Sequence, residues 1–364
     1  MGLPKLTFTL KKAARTVAAR TSQSVVALII RDSKANGVHA IYQESDIPST
    51  LGADNVAYIK RAMIGHINRP SVVYVSVIAA AAEIATGFSA LANYSYDYLC
   101  GPVDISAADA TALAALVKAQ RKLRYIGKAV LPNTAADDEG IVNFVSSGIV
   151  VGSTTYAAAA YCSRIAGILA GTPADCSATY AVLSEVTAVT ATATPDDAVD
   201  AGKVFLIDDG RVRKLSRAVT SKTTLSATEP EALKKIKMTA AIDLIRYYAM
   251  TAVEDEYLGK CANSYDNKCI LLTAVRDYLK QLEDSNVLKA GSSGAKLDAD
   301  AARAYLVKQA SDAGDTDEAA RIRALSDEAV IKEDTGSYVF LNLYGWVLDA
   351  MEDFNIVFEV TDAV

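Results

Sequence analysis

The sequence predicts a mixed chain, α/β in its middle and α+β overall, with several domains, a helix-covered central sheet and extended strand arms at both ends. Three observations carry that prediction. Residues 93–190 alternate short β-branched runs with helical stretches, the pattern of a mostly parallel sheet covered by helices. Leu6, Thr7, Phe8, Thr9 and Leu10 alternate apolar and polar, as do Ile356, Val357, Phe358, Glu359 and Val360, with Ile356, Phe358 and Val360 on one face. That period of two marks a strand with one buried face. The chain has 364 residues, of which 51% are hydrophobic and 22% charged. That is enough for two or three domains and a large core.

Along the chain, the small and basic residues 11–22 read as a linker. Residues 24–31 read as a buried strand and His39–Gln43 as another, with an Asn36-Gly37 turn between them. Tyr58–Ile67 has helical spacing, and the β-branched Ser71–Ile78 is a strand. Tyr96–Cys100 is a short strand. Ser106 then caps a helix to about Lys122, with Asp109 at its third position. Lys128–Leu131 reads as a strand, Ala136–Ser146 as a helix and Gly148–Gly152 as a strand. Thr155–Ala170 is an alanine-rich helix closed by Gly171 and Pro173.

Residues 203–217 predict a β-hairpin about a two-residue Asp209-Gly210 turn. Thr228-Glu-Pro-Glu231 reads as a capping box that opens a helix through Leu233, Ile236, Ala240, Leu244, Tyr247 and Tyr248. A second helix covers about 265–284, with Leu271, Val275, Tyr278, Leu279 and Leu282 on one stripe. Lys289–Lys296 reads as a flexible loop, a third helix lies near 299–311, and Ser337–Leu343 is a strand. A lone terminal strand must pair with a sheet, so two such ends predict a protein that links to copies of itself.

Composition narrows the function. The net charge of −6 gives no basic footprint, so no nucleic-acid partner is expected. The start of the chain lacks the continuous apolar region of a signal peptide. The longest apolar stretch, Val72 to Ala82, is too short to span a bilayer, so no direct membrane insertion is expected. Five cysteines, Cys100, Cys162, Cys176, Cys261 and Cys269, form no CxxC pair and fit reduced thiols in a protein made in the cytosol.

No phosphate loop, dinucleotide fingerprint, zinc-protease helix or nucleophile elbow is present. The only histidines, His39 and His66, fall at a predicted turn and a polar helix end. No catalytic residue, metal or cofactor is expected. The acidic pairs Asp137-Asp138, Asp196-Asp197 and Asp208-Asp209 and the run Glu254-Asp255-Glu256 read as caps and turns rather than as a metal site. Lys234, Lys235 and Lys237 form a small basic cluster, either a solvated face or a contact to an acidic partner surface.

Four segments, in order, resemble one family. Ala166-Gly-Ile-Leu-Ala-Gly-Thr-Pro173 followed by Ser177-Ala-Thr-Tyr180 resembles the central A-G-x-x-A-x-T-P…S-x-T segment of contractile tail sheath proteins. Ala201-Gly-Lys-Val-Phe-Leu-Ile-Asp-Asp-Gly-Arg-Val-Arg213 resembles their hairpin. Lys234-Lys-Ile-Lys-Met-Thr-Ala-Ala-Ile-Asp-Leu-Ile245 resembles the helix that leads into their C-terminal motif. Asp255-Glu-Tyr-Leu-Gly-Lys-Cys-Ala-Asn-Ser-Tyr-Asp-Asn-Lys268 resembles that motif, (Y/F)-(I/L)-G-K-x-x-N-x-x-x-N. The similarity spans roughly residues 90–360 and is greatest to short Gram-positive sheaths of myophages, defective prophages and phage-tail-like bacteriocins such as diffocins. Ala218-Val-Thr-Ser-Lys-Thr departs from the family's plainer segment after the hairpin.

The resemblance implies a non-enzymatic structural subunit that polymerises as stacked hexameric rings around an inner tube. The polymer contracts to drive that tube through a target cell envelope. The implied partners are further copies of the chain, the inner tail tube protein, and baseplate and tail terminator proteins. The protein would be made in the bacterial cytoplasm and released in a phage tail or tail-like particle.

The implied organisation is an N-terminal arm and linker over 1–22, a small β-rich outer domain over 23–92 and a central α/β domain over 93–227. A tube-facing inner domain over 228–350 and a C-terminal arm over 351–364 follow. The resemblance also implies that the arms are exchanged between subunits. It places the acceptor strand at Tyr338, Val339, Phe340 and Leu341, the hinge segments at 11–22 and Ala350–Asp353, and a tube contact at Lys234, Lys235 or Lys237. From the residues alone, a cytosolic α/β enzyme and another self-assembling shell or surface-layer protein remain alternatives.

Overall fold

The strand β1 (Val25–Arg31) is apolar at every position before its last, and Val26–Ile30 are fully buried. A strand buried on both faces belongs in the middle of a covered parallel sheet. In the computed structural model, which describes residues 24–123 and 125–358, β1 pairs in parallel with β3 (Val72–Ile78) on one side and β4 (Tyr98–Cys100) on the other. β5 (Lys128–Pro132), β6 (Ile141–Phe144) and β9 (Lys203–Val204), the last preceded by the short helix α5 (Pro195–Asp200), extend the sheet in parallel. β2 (Gly37–Ile41) closes the opposite edge antiparallel to β3. The spatial order is β2-β3-β1-β4-β5-β6-β9.

Alternation along β1 divides the core. Val26, Leu28 and Ile30 face a cluster with α1 (Ala53–Ile64) and α4 (Ala158–Ala170), including Tyr58, Ile59, Tyr161 and Ile165. Ala27 and Ile29 face the other side, where α2 (Ile84–Ala90) and α3 (Ala107–Leu123) contribute Ile84, Leu113 and Val117. Helices thus cover both faces, as parallel crossovers require. Ser106 caps α3 as the sequence predicts, its Oγ accepting from the Asp109 N–H at 3.1 Å.

The helices α1 and α4 touch through Gly167. A Cβ there would meet the Ala62 carbonyl oxygen at 2.2 Å, closer than any real contact. The A-G step of the motif at 166–173 therefore permits close helix packing. Thr172 of the same motif closes the helix by donating to the Ile168 carbonyl at 2.8 Å.

The described residues form two compact units, 24–240 with 349–358, and 241–348, and the boundary falls within α6 (Ile236–Glu256). The expected divisions at 92/93 and 227/228 are not where the chain divides. β1, β2 and β3 lie in the same sheet as β4, β5 and β6, because β1 needs a parallel neighbour on each side.

Other expectations are corrected by burial and hydrogen bonding. Residues 141–144, read as helix, are the fully buried strand β6. β10 (Leu206–Asp208) and β11 (Arg213–Leu215) form the expected hairpin, but Asp209–Val212 make a four-residue loop. Asp209 accepts the N–H groups of Arg211 and Val212 there, and ion pairs Asp208–Arg213 and Asp209–Lys214 flank the turn. The segment at 228 does not open one long helix. Glu231–Lys234 is a single 3-10 turn, and α6 starts at Ile236. A separate hairpin, β7 (Ile149–Val151) with β8 (Thr154–Tyr156), occupies the first residues expected of the alanine-rich helix.

In the second unit, α7 (Tyr265–Asp284) matches its expected span, with Ser264 as N-cap. Tyr278 stacks on Tyr248 at 3.6 Å between ring centroids, and each hydroxyl finds a carbonyl, Leu244 for Tyr278 and Ala274 for Tyr248. β12 (Gly294–Leu297) pairs antiparallel with β13 (Leu341–Tyr344). Between them run α8 (Ala299–Asp312), α9 (Thr316–Ala324) and α10 (Asp327–Val330), packed about Leu306, Ile322 and Val330.

The Gly167 contact gives a direct test. Gly167→Val must push α4 off α1, and overpacking of this kind costs about 1–3 kcal/mol. Calorimetry should show a thermal midpoint lowered by several degrees; an unchanged midpoint would contradict the packing.

Candidate functional site

The expected acceptor region is built from two distant segments of the second unit. β13 pairs with β12 from Leu297↔Leu341 to Gly294↔Tyr344, and among the described residues these two strands form a sheet by themselves. Each therefore has one edge without a strand partner among those residues, the feature that invites strand addition.

Of the expected acceptor residues only Leu341 lies in the strand. Tyr338, Val339 and Phe340 precede it, and side chains take the Tyr338 carbonyl. The Tyr338 carbonyl accepts from Asn263 Nδ2 at 3.0 Å and from the Thr335 hydroxyl at 2.6 Å. The Phe340 carbonyl accepts from the Asp298 N–H at 3.0 Å. The rings of Tyr338 and Phe340 pack on Tyr305 of α8, with centroids 4.6 and 5.5 Å away. Asn263, the first asparagine of the C-terminal motif, also reaches the Gly336 carbonyl at 2.7 Å. The motif thus anchors the loop that delivers β13.

The expected arms divide differently. Leu6, Thr7, Phe8, Thr9 and Leu10 lie outside the described residues, as do Glu359 and Val360. Ile356, Val357 and Phe358 are described and form no strand, with relative exposures of 85%, 77% and 85%.

The three lysines do not form one open basic face. Lys237 is buried, and burial holds its pKa below the usual lysine value, against the pull of Asp349 and Asp175. Lys235 pairs with Asp349 and lies 3.8 Å from Glu352. Lys234 and Lys235 are similarly half-exposed, 38% and 31% by side chain, and Lys234 lies 3.5 Å from Glu231. A local reading of the sequence misses this, since Asp349 and Glu352 lie over a hundred residues from Lys235. It misses Arg217 for the same reason, although that side chain pairs with Glu352 at 3.7 Å and with Asp353. Burial opposes the Arg217 charge, but these carboxylates raise its pKa on balance.

The sheet has a topological switch point between the carboxyl ends of β1 and β4, where α/β folds bind ligands. Here polar groups bond to one another, although Arg31 Nε is buried without a hydrogen-bond partner. Arg31 pairs with Asp109 at 2.9 Å and Asp104 at 3.7 Å, and Asp32 accepts from the Gly52 N–H and from Asn55, each at 2.9 Å. His39 is bonded to the Ala35 carbonyl at 2.7 Å. Among the described residues no group of three or more His, Cys, Asp or Glu could hold a metal ion. No helix among them is long and apolar enough to cross a membrane. All five cysteines are free thiols.

Comparison with known proteins follows the same direction. Residues 78–221 match the family model described as the phage tail sheath protein central domain. The chain is 31% identical over 363 residues to the tail sheath protein of Clostridium phage phiCD119, covering 98% of each. Its fold is similar to a sheath tail protein from Listeria innocua, with a TM-score of 0.68 and 14% identity, over 93% of this chain and 99% of the other. It is also similar to the helical sheath of the anti-feeding prophage in its contracted state, with a TM-score of 0.66 and 12% identity over 99% of each chain.

The β12 end of the acceptor region depends on one carboxylate. Glu283 accepts the Ser293 hydroxyl at 2.7 Å, the Gly291 N–H at 2.9 Å and the Ser293 N–H at 2.9 Å, which lowers its pKa to about 2. A depressed carboxylate stabilises the fold above its unfolded pKa and loses that contribution as pH falls through the folded value. Amide resonances of Gly291 and Ser293 should therefore titrate with a midpoint near pH 2 in an NMR series. A midpoint at the ordinary glutamate value, near 4.5, would contradict this loop anchor.

Proposed function

This chain belongs to the phage tail sheath protein family, and from that premise we propose that its subunits polymerise as stacked hexameric rings around an inner tail tube, linked by exchanged chain ends. Shortening of the polymer then drives the tube through a target cell envelope. Two separate observations carry the linkage: the apolar C-terminal segment at 356–358 forms no strand, and the second unit holds a two-stranded sheet whose edges are open among the described residues. In this reading β12 and β13 take one strand from each of two neighbours: Leu6–Leu10 from one and Ile356–Val360 from another.

Magnitudes support arms that are weak singly and strong together. Five backbone hydrogen bonds contribute about 0.5–1.5 kcal/mol each. Three buried apolar side chains add about 1.5–3 kcal/mol each. Ordering five residues costs about 1–2 kcal/mol per residue. The balance is a few kcal/mol per arm, and a lattice multiplies it because each bond makes the next one intramolecular. The ordered body at 24–240 would move as a unit while the arms stay bonded. Baseplate and tail terminator proteins would bound the polymer at its two ends. Assembly would follow synthesis in the bacterial cytoplasm, within a phage tail or tail-like particle.

The lysine cluster supports a narrower tube contact than the sequence implies, since Lys237 is buried and Lys235 is paired with Asp349, which favours Lys234. Deleting residues 1–12 should leave a folded body with an unchanged thermal midpoint that forms no tubular polymer in negative-stain images. Ordinary tubes from that variant would contradict the exchanged-end linkage.

A further inference from the structure

The segment 349–358 forms no helix or strand, so side chains must hold it. Its burial is inverted relative to an ordinary chain. Met351, Phe354, Ile356, Val357 and Phe358 are 70–87% exposed, whereas the side chain of Glu352 is 7% exposed. A charged group is seldom buried unless it is paired, and apolar groups are seldom displayed in a row without something to cover them.

Glu352 sits in a socket drawn from three parts of the body. Its Oε1 accepts the Thr179 hydroxyl at 2.6 Å and the Ser177 hydroxyl at 2.8 Å. Its Oε2 lies 3.7 Å from Arg217 Nε and 3.8 Å from Lys235 Nζ. The hydroxyls are themselves fixed. Ser177 Oγ accepts the Thr179 N–H at 3.1 Å, and Thr179 Oγ1 accepts the Ala218 N–H at 3.0 Å, which ties the socket to the backbone beside Arg217. Ser177 and Thr179 are the S-x-T pair of the sequence motif, to which no other role has been given. On either side of Glu352, Asp349 pairs with Lys235 and Asp353 pairs with Arg217. The outer pairs are more exposed, with Asp349 at 40% and Asp353 at 79%, so Glu352 is the member least screened by water.

We infer that Glu352 is a positioning residue: its socket clasps the root of the C-terminal arm to the subunit's own body, so the arm's freedom begins after Asp353. This rests on the reading of 356–360 as a donated strand. It moves the hinge expected at Ala350–Asp353 to the residues that follow. The clasp turns Glu352 inward and leaves the apolar side chains of the strap outward, ready for a second copy of this chain. Fixing the root in this way shortens the tether and raises the effective concentration of the strand at its acceptor.

Backbone 15N relaxation on the unassembled full chain tests the clasp without requiring polymer. Order parameters at 350–353 should be near the rigid value of about 0.85 in the wild type and fall below about 0.6 in Glu352→Ala, while 356–358 stay below about 0.6 in both. Thr179→Val and Glu352→Gln should act in the same direction and leave the rest of the body unchanged. Should Glu352→Ala fail to fold, these two milder variants decide the matter. Low order parameters at 350–353 in the wild type, or no change in any variant, would overturn the clasp. That result would leave the exchanged-end linkage standing, because the 1–12 deletion tests it separately.

Discussion

Burial of β1 on both faces is the constraint from which the first unit follows. A strand with Val26–Ile30 fully buried must have parallel neighbours on each edge and helices above and below. The crossovers supply α1 and α4 on one face and α2 and α3 on the other. Close approach of α1 and α4 then requires Gly167. The outcome is a body whose central sheet is covered by helices on both faces. Its polar groups at the ligand-binding position of such folds, Arg31 and Asp32 among them, are bonded to their own neighbours.

The proposed linkage draws on the chain ends and on the second unit's small sheet. The motif around Asn263 and the carboxylate of Glu283 both secure that sheet, one at the loop before β13 and the other at the loop before β12. The S-x-T pair secures the strap that leads to the C-terminal arm. Three of the features that carry the resemblance to tail sheath proteins thus have physical roles in packing or anchoring: the glycine step, the S-x-T pair and Asn263. No chemistry is needed to account for them.

Much of the fold was legible where a signal was local. Ser264, an apolar stripe from Leu271 to Leu282 and the polar residues after it define α7 to the residue. Ser106 did the same for the start of α3. β6 was not legible, because four buried residues carry no period and Asn143 interrupts the apolar run. The four-residue loop at Asp209–Val212 was hidden by an Asp-Gly pair that also serves two-residue turns. The strand expected over Tyr338–Leu341 begins only at Leu341, since the Tyr338 carbonyl is claimed by Asn263 and Thr335. The fate of the lysines and the Glu352 socket could not be read at all. Their partners are brought together only by the fold, across separations such as 217 to 352.

In the proposed linkage, residues 356–360 of one subunit lie along β13 of another. Mixed disulfide trapping measures it directly, using one population carrying Val357→Cys and a second carrying Asn342→Cys, both with Cys261→Ser. The two are co-assembled into sheaths and oxidised. Exchanged ends should give covalent dimers that contain one subunit of each kind and are absent from unassembled mixtures. Assembled sheaths that yield no such mixed dimers, at any position scanned along 356–358 and 341–344, would contradict it.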